Sequence, residues 1–320
     1  MVRRPILAAV ACPSSESGAL PAPPFELREG APSAIPVLIA VPHAGRAYPD
    51  DLLARLRQPA AAALRLEDRR VDAVGRAVAA ATGAALVVAT APRAMIDLNR
   101  ATDDVDWEMI EPAATGEGGA AIGRSVAPSR RARSGLGLVP RRLPGLGELW
   151  NRPLPAAELA HRIAAVHQPY HQAVAEVLGR LRARWGAALL IDLHSMPPLP
   201  PQGREPGAAF VIGDRFGTTC AGAFVASAFG WFAEAREVAA HNRPYAGGYV
   251  LERHAAPRDG IHALQLEIDR SRYLEPRLAE LGPGFARVVN LVSGLVTRLA
   301  GEVAECGRSA AGGTWADAAE

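Results

Sequence analysis

Residues 189–196, Leu-Leu-Ile-Asp-Leu-His-Ser-Met, run from apolar side chains into a carboxylate, an imidazole and a hydroxyl, and Pro197 and Pro198 stop the run. A stretch this short and apolar, entered past Gly186, has the pattern of a buried strand. Ligands in open α/β sheets sit beyond the carboxyl ends of such strands, so His194 is placed to bind a metal ion, with Asp192 or Ser195 to hold it. A solitary strand-end histidine more commonly bonds to its own loop. Here the ending is repeated: residues 35–41 form another apolar strand that runs into Pro42, His43, Ala44 and Gly45, where glycine allows a tight turn. Glu267, between Leu266 and Ile268 in a strand over 262–268, either pairs with an arginine such as Arg270 or does acid–base work. Arg93 and Arg100 follow a strand at 86–89, and an arginine buried there needs an anion, from the protein or from a ligand.

The elements that must carry these groups alternate between strand and helix. A short helix starts near Asp51, and residues 64–82 keep apolar positions at helical spacing up to Gly83. Glu67, Asp68 and Asp72 near the start of that helix read as surface charge, Asp72 most plainly. Residues 158–184 give the strongest amphipathic stripe, with His161, His167 and His171 along it. His167 and His171 are i,i+4 partners, a spacing that can bind zinc. Without a glutamate after the first histidine, and with Pro169 between them, they read as packed or ligand-facing. Further strands are expected at 210–213 and helices at 220–231 and 280–304. Gly247 and Gly248 mark a loop where backbone and ligand come close.

At 320 residues and 49% hydrophobic, the chain can bury a large core. Residues 1–32 read as a loose N-terminal segment, 33–304 as one catalytic α/β domain, and 305–320 as a frayed tail. Within the domain, 107–147 is a long loop rich in Gly, Arg, Pro and Ser, of a length found in active-site covers or in disordered segments, with its arginines solvated. Net charge is +2, all basic residues are arginine, and 33 acidic residues are interspersed with them, which argues against a nucleic-acid partner. No window is apolar enough for a membrane span. Cys12, Cys220 and Cys306 are odd in number and far apart, fitting a reducing compartment, so a cytoplasmic location is expected.

Six blocks, Val41-Pro42-His43-Ala44-Gly45, Ile96-Asp97-Leu98-Asn99-Arg100, Gln168-Pro169-Tyr170-His171, Asp192-Leu193-His194-Ser195, Asn242-Arg243-Pro244-Tyr245-Ala246-Gly247-Gly248 and Gln265-Leu266-Glu267, together resemble the N-formylglutamate amidohydrolase family. They occur in the family's order and span most of the chain. The resemblance implies a three-layer α/β/α fold with a mixed, mostly parallel central sheet, similar to the zinc carboxypeptidases and aspartoacylase-like deacylases. It also implies a zinc ion held by His43 and His194, Glu267 as catalytic base, and Asn99 with Arg100 as a carboxylate clamp. Arg93 would face the oxyanion, and Asn242, Tyr245, Gly247 and Gly248 would complete the substrate site. Zinc carboxypeptidases have a glutamate three residues after the first histidine; here Arg46 stands there and cannot bind a cation. Asp68 best matches the third ligand, with Glu67 in reserve.

Two imidazoles and one carboxylate suit catalytic zinc, which keeps a fourth position for water and lowers that water's pKa toward ~7. The implied reaction is hydrolysis of N-formylglutamate to formate and L-glutamate. The same machinery acting on another N-acyl amino acid or small peptide is the nearest alternative. A non-catalytic binding protein on the same fold is a second. A serine hydrolase built on Ser195 is weaker, because the GxSxG elbow is absent.

Overall fold

Hydrophobic runs and glycine stops divide the chain into alternating elements in a computed structural model that describes residues 23–111, 128–201 and 206–316. In order these are β1 (Phe25–Arg28), β2 (Val37–Val41), α1 (Asp50–Arg55), α2 (Pro59–Leu66), α3 (Val71–Thr82), β3 (Ala85–Ala89) and the one-turn α4 (Arg130–Arg133). A small ribbon of β4 (Arg142–Leu143) and β5 (Gly147–Glu148) follows, then α5 (Ala156–Arg162), a π-helical turn over Ile163–His167, and α6 (Gln168–Trp185). The remainder is β6 (Ala188–Met196), β7 (Phe210–Gly213), α7 (Gly222–Glu234), β8 (Ala239–His241), α8 (Tyr249–His254), β9 (Ile261–Asp269) and α9 (Phe285–Ala316).

Seven of the described strands form one sheet in the order β1-β3-β2-β6-β9-β7-β8. The pairs β3–β2, β2–β6, β6–β9 and β7–β8 are parallel, while β1–β3 and β9–β7 are antiparallel. The sheet is therefore mixed and mostly parallel, with helices on both faces, as expected. Side chains alternate across each strand, so β6 sends Leu190 into one core with α5, α6 and α8, and Leu189, Ile191 and Leu193 into another with α3, α7 and α9. Burying each such leucine or isoleucine contributes about 1.5–3 kcal/mol. The central strands β2 and β6 are buried along their whole length, which is why they read as unbroken apolar runs.

Several expectations need correction. Residues 25–28, assigned to the loose N-terminal segment, form the edge strand β1; residues 1–22, with Cys12, lie outside those described. The helix expected over 64–82 is two helices, because the chain breaks at 67–70, where Arg70 takes a left-handed conformation (φ 57°). The last helix begins at Phe285 rather than Glu280 and continues past residue 304 to Ala316, so part of the expected tail is helical. The stretch 107–147 is not bare loop where described: Leu138 and Val139 are buried, and Arg141 is tied to Asp106 at 2.7 Å and to Glu148 at 2.8 Å. Residues 112–127 of that stretch lie outside the described structure. Asp72 is not surface charge; it is buried and makes a bidentate pair with Arg46 at 2.9 and 3.0 Å. No described helix is long and apolar enough to cross a membrane.

Candidate active site

The pairing of β2, β6 and β9 fixes which polar groups meet. Ala40 pairs with Asp192, so His43, just past the end of β2, comes up beside His194. On the other side His194 pairs with Glu267, and Asp192 with Gln265, in a parallel register that aims all four at the same face. The break between α2 and α3 brings in the third group: the Asp68 N–H donates to the His43 carbonyl at 3.0 Å, which lays the Asp68 carboxylate against both imidazoles. Gly45 is obligatory at this turn, since a Cβ there would stand 1.9 Å from the Ala91 carbonyl oxygen.

His43, Asp68 and His194 are buried, and one ligand atom from each lies within 4.8 Å of the others. Asp68 Oδ2 is 3.0 Å from His194 Nδ1 and 3.7 Å from His43 Nδ1. Ligand atoms around a tetrahedral zinc stand about 3.3–3.6 Å apart, a range that the two separations from Asp68 bracket. The opposite ring nitrogens meet carboxylates: His43 Nε2 is 2.7 Å from Asp97 Oδ1, and His194 Nε2 is 2.9 Å from Asp192 Oδ2. With a cation at the centre, a carboxylate behind each imidazole would keep a proton on Nε2 and leave the Nδ1 lone pair for the ion.

The buried imidazoles and carboxylates shift one another strongly. Burial alone would depress the His194 imidazolium, yet Asp192, Asp68 and Glu267 around it raise its pKa well above the ordinary value. Burial would raise the Asp68 carboxyl, but hydrogen bonds from His194 and His43 hold it far below the usual carboxylate range. Glu267 moves the other way: burial pushes it up to about 7, with Asp68 and Asp192 adding to the rise and His194 opposing it. Its Oε1 accepts from Gln265 Nε2 at 2.9 Å, and no ion pair with Arg270 forms; Arg270 lies 3.3 Å from the Ser195 carbonyl and 4.0 Å from Asp68.

His43, Asp68, His194 and Glu267 line one cavity of about 790 Å³ together with Arg93, Asn99, Arg100, Asn242, Tyr245, Gly247 and Gly248, so the structure brings the expected site residues together. Their bonds differ. Arg93 holds Asp97 through Nε and Nη2, both at 2.9 Å. Asn99 Oδ1 accepts from the Val250 N–H at 2.9 Å, and a Cβ on Gly248 would stand 2.4 Å from that oxygen, which explains the paired glycines. Arg100 has only Asp104 at 3.7 Å, and its Nε is buried without a partner among the described residues. Asn242 is occupied with the Asp214 loop, accepting from the Asp214 N–H at 3.0 Å and donating to its carboxylate at 2.7 Å. Glu67 turns away from the cluster to Arg69 at 2.7 Å. Ser195 alternates to the opposite face of β6 from His194.

Residue types and spacing assign no role to Asp97 or Gln265, and the pairing of Arg270 with Glu267 that they offer is absent. The signal available for Asp97 is a carboxylate flanked by Ile96 and Leu98 just beyond a strand. Arg131, one of the arginines expected to be solvated, lines the cavity.

Comparisons with known proteins agree with this architecture. The family model described as N-formylglutamate amidohydrolase matches residues 35–274. The chain is 31% identical over 248 residues to an N-formylglutamate deformylase of Pseudomonas aeruginosa, covering 75% of this chain and 83% of that one. A crystal structure of N-formylglutamate amidohydrolase from Ralstonia eutropha superposes with a TM-score of 0.76 at 33% identity, covering 88% of this chain and 98% of that one. A gene product of Agrobacterium tumefaciens at 18% identity shares the fold, with a TM-score of 0.62 and coverage of 88% and 95%.

Proposed function

As the chain belongs to the N-formylglutamate amidohydrolase family, we propose that this amidohydrolase cleaves N-formyl-L-glutamate to formate and L-glutamate, with zinc held by His43, Asp68 and His194. The observation that carries the proposal is the buried His-Asp-His cluster with Glu267 on the next strand. A zinc ion bound there supplies an acidified water and a Lewis acid for the scissile carbonyl. Glu267 takes the proton from the attacking water and returns it to the departing amine nitrogen, a task suited to a carboxyl raised to about 7. Arg93, anchored on Asp97, offers positive charge to the developing oxyanion. Arg100, whose guanidinium is incompletely paired, grips a substrate carboxylate, with Asn99, Tyr245, Gly247 and Gly248 forming the surrounding wall. In this role the protein acts in histidine degradation.

Formate release from N-formylglutamate, measured beside N-acetyl and N-succinyl glutamate, with metal content determined on the same sample, tests the proposal. Turnover confined to the larger acyl groups assigns the chain to another N-acyl substrate. A metal-free preparation that is fully active removes zinc from the account.

Two replacements separate the parts. Asp97→Asn leaves all three ligands in place but weakens the bond that orients His43, so zinc affinity should fall about 10- to 100-fold. Competition with a chromophoric chelator measures this, and an unchanged affinity would free His43 from dependence on Asp97. Arg100→Lys keeps the charge but loses the planar fork, and kcat/KM should fall by roughly 2–4 kcal/mol in transition-state binding. Zinc content should hold constant. An equal loss on formyl amides that carry no carboxylate would return Arg100 to a purely structural role.

A further inference from the structure

Three buried histidines stand behind the clamp residues and take no part in the site described above. His167 and His171 lie on the helix formed by the π-helical turn and α6, and His254 ends α8. His171 Nε2 is 2.9 Å from the Leu98 carbonyl, and His167 Nε2 is 2.8 Å from the Arg100 carbonyl. A carbonyl only accepts, so both Nε2 atoms carry the proton. His171 Nδ1 is then an acceptor, and His254 Nε2, 2.9 Å away, donates to it. Burial lowers the pKa of all three, that of His171 to about 2 and that of His254 to about 3, which keeps the chain of rings neutral.

The spacing is the telling part. Residues four apart on a helix rise about 6 Å along its axis and share a face, while residues 97–100 form a turn closed by the Arg100 N–H on the Asp97 carbonyl at 3.2 Å. His167 and His171, one helical turn apart, reach the two carbonyls that flank Asn99. This turn belongs to no strand or helix ladder, so the Leu98 and Arg100 carbonyls take side-chain donors instead. Asn99 in turn reaches the Val250 N–H at 2.9 Å and stands 3.4 Å from His194 Nε2, while Arg100 projects into the cavity. The π-helical turn adjoins this pair, where Pro169 has no N–H to give an α-helical bond, and such turns recur at functional sites.

We propose that His167 and His171 are positioning residues that act as a two-pronged template for the Asn99–Arg100 clamp, fixing the backbone on either side of Asn99 so that the Arg100 guanidinium meets the substrate carboxylate. This rests on the assignment of Arg100 as the carboxylate grip. It predicts that the histidines act on substrate binding through the clamp, with Arg100 as the group whose contact with the carboxylate carries most of the effect.

The test is a set of kinetic constants for N-formylglutamate with the zinc-loaded wild type, His167→Leu, His167→Gln, Arg100→Lys and the Leu/Lys double variant. Loss of the hydrogen bond in His167→Leu should raise KM about tenfold with kcat nearly unchanged. His167→Gln, whose amide nitrogen overlays Nε2, should restore KM to within about threefold. In the Arg100→Lys background His167→Leu should add little, because residues acting through one contact are not additive. If His167→Leu does not fold, His167→Asn, too short to reach the carbonyl, takes its place with the same expected results. Wild-type KM in the Leu or Asn variant, a full tenfold effect persisting on Arg100→Lys, or a failure of Gln to rescue overturns the positioning role. A wild type that neither turns over N-formylglutamate nor binds L-glutamate by calorimetry overturns the function itself, and the template proposal with it.

Discussion

Alanine at His43 or at His194 is expected to give folded protein that purifies without stoichiometric zinc and releases no formate. Both imidazoles sit in a polar cluster at the cavity, so the space left behind can take water rather than remain an apolar void. Loss of an outer partner to a zinc ligand costs about 10- to 100-fold in affinity, and loss of the ligand itself costs more. The two variants should differ in stability. His194 stands among Asp68, Asp192 and Glu267, whereas the Asp97 carboxylate behind His43 keeps Arg93 when His43 is removed. His194→Ala should therefore melt at a lower temperature than His43→Ala. Zinc analysis after dialysis, with thermal melts, decides the matter: unchanged zinc in both variants sinks the ligand assignment.

Glu267→Gln should keep zinc and substrate affinity while kcat drops by about 10²- to 10⁴-fold, the worth of a positioned general base. The replacement is nearly isosteric, and the Gln265 amide can still donate to the oxygen that remains. Activity requires the carboxylate, so wild-type kcat/KM should fall with acidity on a limb that lies at or below pH 7, and the residual activity of the variant should lack that limb. Stability has its own sign. The folded-state pKa is raised from 4.5 to about 7, so the contribution of Glu267 is fully present below pH 4.5 and is lost as pH rises through 7. Metal-free Glu267→Gln should then be more stable than metal-free wild type at pH 8 but not at pH 4. Near-normal turnover in the variant would remove Glu267 from the chemistry.

The strands bearing His43, His194 and Glu267 are legible in the sequence because a short apolar run that ends in a polar residue fits little else than the middle of a sheet. The same rule fails for β1, whose Phe-Glu-Leu-Arg sequence carries exposed charges because an edge strand packs on one side only. Asp68 is legible through family resemblance alone. Its position depends on a left-handed residue at Arg70 and on an N–H bond to the His43 carbonyl, and neither leaves a trace in residue types. Asp72 misleads for the complementary reason. A carboxylate in the first turn of a helix looks solvated, and its partner Arg46 is 26 residues earlier in the chain. The His167–His171 pair is recognisable as a pair, but the carbonyls it serves belong to an irregular segment that periodicity does not describe.

The pairing of His194 with Glu267 puts one end of the reaction's geometry under the control of backbone spacing alone. Adjacent strands stand about 4.8 Å apart whatever their side chains, so the spacing between His194 and Glu267 cannot be tuned by changing neighbours. It can only be kept or lost. Deleting one residue from β9 would turn Glu267 to the far side of the sheet and present leucine or isoleucine to His194 in its place. The segments that carry Arg100, Arg131 and Tyr245 line the cavity but stand outside that ladder, so a change in one of them leaves the His194–Glu267 spacing as it is.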